Sequence, residues 1–180
     1  HIEFNAIDLA ADMLARFATS PRVDTAKRRE FIDDWVGVCA DEARHFNMIS
    51  ARLQALESFY GAMPAHNGLW EAAIATKDDL QARLAIAPMV LEARGLDVTP
   101  NMIKKLTDVQ DKESGDILQV IYQEEVAHVA AGVRWYTHIC TRENHQPDQQ
   151  FQILLAQYYK GTLKPPFNDA ARLLAGMPEH

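Results

Sequence analysis

Cysteine is scarce in this 180-residue chain: Cys39 and Cys140 stand far apart, and neither belongs to a Cys-x-x-Cys pair. That excludes a disulfide scaffold, a zinc ribbon and a thioredoxin-type redox motif, and two free thiols fit a reducing, cytoplasmic setting. Glycine and proline number 8 each with no repeat, so the chain is neither collagen-like nor low in complexity. Positive charge is short: 18 Lys and Arg against 25 Asp and Glu leave a formal net charge of −7. A nucleic-acid partner, which needs a basic face, is not expected. Lys27-Arg28-Arg29 and Lys104-Lys105 read as solvated helix ends. No apolar run reaches eighteen residues, so no membrane span is expected. No charged segment followed by an apolar stretch opens the chain, so secretion is not expected either. The chain begins at His1, without Met, inside an amphipathic pattern, and the first helix is expected to start ahead of it.

What is present is apolar periodicity. Apolar residues make 48% of the chain and charged ones 24%, enough to build one packed domain over residues 1–180. Ile2, Ala6, Leu9, Met13 and Phe17 recur at threes and fours until Ser20-Pro21 breaks the pattern. A second stripe runs from Phe31 through Trp35, Val38, Glu42, His45 and Ile49 to Leu56. An irregular connection around Gly61, Pro64 and Gly68 holds a short apolar piece at Trp70. Thr76, with Asp79 three residues on, predicts a capped helix start. This third helix carries Leu84, a kinking Pro88 and Leu91, and is expected to stop near Gly95. Thr99-Pro100 predicts a short restart. The fourth long stripe runs Ile117, Ile121, Glu125, His128, Gly132, Trp135, Ile139. A shorter helix over residues 148–160, an extended Lys164–Asn168 segment and a last helical piece to Ala175 follow. No alternating strand pattern of useful length exists. The expected fold is all-α: a four-helix bundle with a long crossover between its second and third helices, plus short C-terminal helices.

Two stripes carry residues that packing does not explain. Glu42 and His45, and again Glu125 and His128, are Glu-x-x-His pairs on apolar faces. Three-residue spacing puts both side chains of a pair on one side of a helix. A buried carboxylate is costly unless paired or metal-bound. Glu3 on the first stripe and Glu92 on the third complete the set: four helices, four inward Glu, two His. That is the ligand pattern of dinuclear carboxylate sites in helix bundles. The 47 residues from His45 to Glu92 suit a crossover. Four carboxylates carry −4 and two divalent ions +4. Carboxylate with imidazole suits iron or manganese better than magnesium, leaves zinc open, and fits copper(I) and iron–sulfur clusters poorly.

Neighbouring residues have plainer readings. Asp41 and Glu124 point about 100° away from the stripes and read as solvated or as hydrogen-bond partners of ligands. Tyr122, one turn before Glu125, reads as core with a satisfied hydroxyl, or as a phenol serving the site. Trp35 and Trp135 read as core. His1, His138, His145 and His180 read as surface, and His66 as a loop residue or a cover over the site mouth.

The stretches HIEFNAIDLA (1–10), DEARHFNMISARL (41–53), MPAHNGLWEAA (63–73), APMVLEARGLDVTP (87–100), EEVAHVAAGVRWY (124–136) and KPPFNDAAR (164–172) resemble the ferritin-like superfamily, and within it the bacterial family DUF455. The resemblance implies two metal ions, iron first, with manganese or a mixed pair as alternatives, held by Glu3, Glu42, His45, Glu92, Glu125 and His128. It implies no particular reaction. Three functions fit: an O₂-activating oxidase or monooxygenase acting on a small molecule; a ferroxidase, storage or manganese-binding protein; and a non-catalytic bundle stapled by metal. The first needs an external electron donor, because no flavin or nicotinamide fingerprint is present. Residues 61–76 would form a lid, Pro88 would open the helix beside Glu92, and Ala85, Ala87, Ala131 and Gly132 would leave room for substrate. A homodimer is compatible with all three.

Overall fold

The structure, a computed structural model, describes residues 1–178. Every regular element among the described residues is helical. α1 (Ile2–Phe17) leads through a 3-10 turn (Thr25–Lys27) into α2 (Arg28–Ala55). A crossover of residues 56–79 carries the short α3 (Gly68–Ala75) and enters a composite third helix: α4 (Leu80–Ile86), a π-helical turn (Ala87–Glu92) and α5 (Ala93–Asp108). α6 (Lys112–Glu143) completes the bundle, and α7 (Pro147–Tyr158) and α8 (Asp169–Leu174) pack outside it. No helix among the described residues is long and apolar enough to cross a membrane.

Pairings give the topology. Glu3 meets His45 and Ile7 meets Cys39, so α1 and α2 are antiparallel. Asp34 meets Trp135, His45 meets Glu124 and Arg52 meets Ser114, so α2 and α6 are antiparallel too. Pro88 faces Gly132 and Leu106 faces Gly115, which sets the composite helix antiparallel to α6. α2 and α5 therefore run the same way, and only a connection along the bundle can join them. The expected four-helix bundle with its crossover is the architecture found. Phe31, Trp35 and Trp135 stack at its centre, essentially without exposure. Thr76 does not start α4. Its hydroxyl donates back to Ala72 O at 2.8 Å and closes α3, while Asp79 Oδ1 accepts the N–H groups of Gln81 and Ala82. Arg83, buried, ties the two short helices to α1 through Thr76 Oγ1, Ala73 O and Asp12 Oδ2.

The third helix departs most from expectation. Pro88, where a kink is expected, lies inside it. The chain absorbs the proline in the π-helical turn, where the Ala93 N–H reaches back five residues to Pro88 O. Nor does the helix stop at Gly95 and restart at Pro100. α5 runs through both. Pro100 has no N–H for the Leu96 carbonyl four residues earlier. Asn168 Nδ2 donates to that carbonyl instead, at 3.0 Å, so the C-terminal segment mends the defect.

Gly132 on α6 is required by the same turn. A Cβ there would stand 2.4 Å from Cβ and Cγ of Pro88. Gly132 therefore leaves no room for substrate, because the proline ring fills it. Ala85, Ala87 and Ala131 are likewise buried in the core. Gly132→Ala is expected to destabilise the fold by about 1–3 kcal/mol, the usual cost of overpacking. A thermal melt checks this, and the loss should shrink in a Gly132→Ala/Pro88→Ala double variant, which removes the ring.

Candidate metal centre

The antiparallel registers bring all six predicted residues to one level. Ligand atoms of Glu3, Glu42, His45 and Glu125 lie within 4.8 Å of one another. His128 Nδ1 stands 3.1 Å from Glu42 Oε1 and 3.6 Å from Glu125 Oε2. The two imidazole rings are 5.7 Å apart. Glu92 joins from the π-turn, close enough that the charges of Glu125 and Glu42 act on its carboxyl. Glu42, His45 and His128 are buried, whereas the Glu3 and Glu125 side chains keep 14% and 12% exposure.

Four atoms of this cluster are buried without a hydrogen-bond partner: Glu42 Oε2, His45 Nδ1, Glu92 Oε2 and Glu125 Oε2. Buried polar atoms are nearly always satisfied, and each orphan costs free energy. Here the orphans converge from three helices, and all are donors to hard or borderline cations. The residues fit a metal pair.

Protons stand in for positive charge in this cluster. Burial, and then the neighbouring Glu42, push the Glu3 carboxyl up to about 8. Burial and the charge of Glu125 do the same for Glu92, also to about 8. Burial also raises Glu125. Burial would raise Glu42 as well, but the His128 hydrogen bond and the nearby His45 ring hold it at about 2. Burial opposes the His128 imidazolium, yet Glu125 and Glu42 raise it to about 11. At neutral pH Glu3, Glu92 and His128 thus carry protons that a cation would displace.

The outer ring is crossed. His45 on α2 donates its Nε2–H to Glu124 on α6 at 2.6 Å. His128 on α6 presents Nε2 to Asp41 on α2 at 3.3 Å. Each carboxylate directly precedes the Glu of one pair and serves the His of the other. With Nε2 committed, Nδ1 of both rings faces the cluster, the arrangement that fixes tautomer and orientation in metal-bound histidines. Of the two readings open for Asp41 and Glu124, the structure selects hydrogen-bond partner. Arg44 lies over both, with Nη2 on Asp41 at 2.6 Å and Nη1 on Glu124 at 2.8 Å. Sequence reasoning passed over Arg44, although its spacing from Asp41 was a usable sign. Glu124→Gln and Asp41→Asn are each expected to lower metal affinity about 10–100-fold. Arg44→Ala should cost much less, because exposed ion pairs are weak. Competition against a chelating dye measures all three.

Tyr122 does not serve the cluster. Its hydroxyl accepts from Asn168 Nδ2 at 2.9 Å. Trp35 and Trp135 are core, as expected. His1 Nε2 meets His66 O at 2.5 Å, so the N-terminal residue leans on the crossover. His138 and His145 lie half-buried at the surface, and His180 lies outside the described residues.

An all-helical bundle with a buried carboxylate–imidazole cluster is the class of protein this geometry defines. The family model described as "Protein of unknown function (DUF455)" matches residues 1–180, and the chain belongs to that family. A Haemophilus influenzae relative described as an "Uncharacterized protein" is 37% identical over 180 residues. The match takes in all of this chain and 62% of the relative, so the chain spans under two thirds of that protein's length. No solved structure matches the chain.

Proposed function

We propose that this is a ferritin-like dinuclear-metal carboxylate protein, binding two iron ions, that activates O₂ to oxidise or hydroxylate a small molecule. The observation that carries the reading is the convergence of four orphaned, buried donor atoms, with two histidines whose far nitrogens are already committed. Glu3, Glu42, Glu92, Glu125 and the Nδ1 atoms of His45 and His128 would hold the ions. When bound, a ferrous pair supplies the electrons for reaction with O₂. The chain's own residues do the rest. Asp41 and Glu124 hold the imidazole planes. The buried walls around Glu42 and His45 exclude water. O₂ and substrate would approach past Glu3 and Glu125, whose side chains keep some exposure. Multiple turnover needs an external electron donor.

The test is metal analysis on protein expressed with iron and with manganese, then anaerobic ferrous loading and stopped-flow exposure to O₂. Two ions per chain and a transient visible band support the reading. Two ions without oxygen reactivity move the assignment to metal handling or to a structural staple. No metal overturns it.

A further inference from the structure

A cleft of about 480 Å³ lies beside the metal centre, between the start of α1, the π-turn and the segment after α7. Ile2 and Leu91 line it, and each is the chain neighbour of a ligand, Glu3 and Glu92. None of the six clustered side chains lines it, so the cleft neighbours the cluster without opening into it. Its volume falls in the range of small-molecule sites.

Its charge is opposite to that of the chain. Four charged side chains line it: Arg94, Lys164, Arg172 and Asp97. Asp97 and Arg172 neutralise each other through two hydrogen bonds of 2.8 and 2.7 Å. Among the described residues Arg94 and Lys164 remain, a surplus of two positive charges on a protein of net charge −7. Arg94 is held in place through Nη1 alone, which donates to Lys164 O at 2.8 Å and reaches Pro166 O and Asp97 Oδ2 only at 3.5 Å. Its Nε and Nη2 hydrogens have no partner among the described residues. The Lys164 ammonium makes no ion pair there either. The rest of the wall is apolar: Leu69, Leu91, Leu163 and the Phe167 ring. Two cations with uncommitted donors at one end of an apolar cleft are a receptor for an anionic amphiphile. Guanidinium suits carboxylate and phosphate oxygens alike.

We propose that this cleft binds the substrate of the metal centre, a small molecule with one carboxylate or phosphate head on Arg94 and Lys164 and an apolar body against Leu69, Leu91 and Leu163. The proposal rests on the functional reading above for the word substrate, and on the cleft alone for the binding.

The probes are octanoate, octyl phosphate and octanamide, titrated calorimetrically into metal-free and zinc-loaded protein. The anions should bind at least roughly tenfold more tightly than the amide, the scale of one charge-assisted contact. The tighter of the two anions names the head group. Lys164→Gln leaves the backbone carbonyl that Arg94 uses, so it should not disturb the fold. It should weaken the anions several-fold and leave octanamide binding and zinc content unchanged. Arg94→Lys should weaken them less than Arg94→Gln. Equal binding of octanamide and octanoate, or anion affinities untouched by both Lys164→Gln and Arg94→Gln, would overturn the proposal. If wild type takes up no metal but still binds octanoate through these cations, the functional reading fails and the anion site stands.

Discussion

Replacing His45 or His128 by Ala should strip the protein of metal. Each imidazole contributes one buried Nδ1, and no other nitrogen donor faces the cluster among the described residues. Loss of a mere hydrogen-bond partner of a ligand costs about 10–100-fold in affinity. Loss of the ligand should exceed that and leave fewer than one ion per chain under loading that fills wild type. Glu92→Ala should do the same. Glu113→Ala, whose carboxylate pairs with Arg52 at the surface, should not. A Cys39→Ser/Cys140→Ser double variant should keep its metal, since neither thiol reaches the cluster. The pH dependence has a definite sign. Glu3 and Glu92 hold protons until about pH 8, and binding requires them to leave. Affinity should therefore rise with pH through about 8 and, because His128 is raised to about 11, go on rising above it, and loading at pH 7 should release protons into a weak buffer. Elemental analysis and a pH-indicator titration check both. Unchanged stoichiometry in both histidine variants would refute the site.

The second large effect is structural. Asp97, fully buried, accepts from Arg172 Nε and Nη2 and from the Asn168 N–H at 2.9 Å. It anchors the C-terminal segment to α5. Asp97→Ala breaks this buried ion pair by removing one partner, which costs about 3–5 kcal/mol. For a chain of this size the melting temperature should fall by roughly 6–20 °C. Limited proteolysis should then cut first between residues 159 and 168. Burial works against the Asp97 carboxylate, but the Arg172 and Asn168 hydrogen bonds outweigh it and depress its proton affinity. A carboxyl depressed in the folded state stabilises above its unfolded value, near 3.9, and loses that contribution as pH falls through the folded one. The wild-type melting temperature should thus drop steeply below pH 4, and Asp97→Asn should flatten that part of the profile.

The clustering of these residues could be read from sequence because they obey a local rule. Three residues along a helix return a side chain to the same face, so Glu42–His45 and Glu125–His128 declare themselves, and Glu3 and Glu92 follow from their stripes. What could not be read depends on contacts distant in sequence. Gly95 and Pro100 look like a stop and a restart because nothing nearby shows that Asn168 will satisfy the Leu96 carbonyl. The small residues at 131 and 132 suggest space only until Pro88 is seen to fill it. The cleft needed two segments, 90–97 and 159–172, that no periodicity connects. Asp41 and Glu124 were half legible: their angle off the stripe placed them near the site, but not which helix they would serve.

The crossed pairing of Asp41 with His128 and of Glu124 with His45 has a consequence for how the centre comes into being. Neither Glu-x-x-His helix carries a complete half-site, so neither can be matured alone. Sliding α2 along α6 by one residue, about 1.5 Å, would unseat both imidazoles together. The cluster thus works as a vernier between two long helices, and an insertion in one of them is tolerated only if the other answers it.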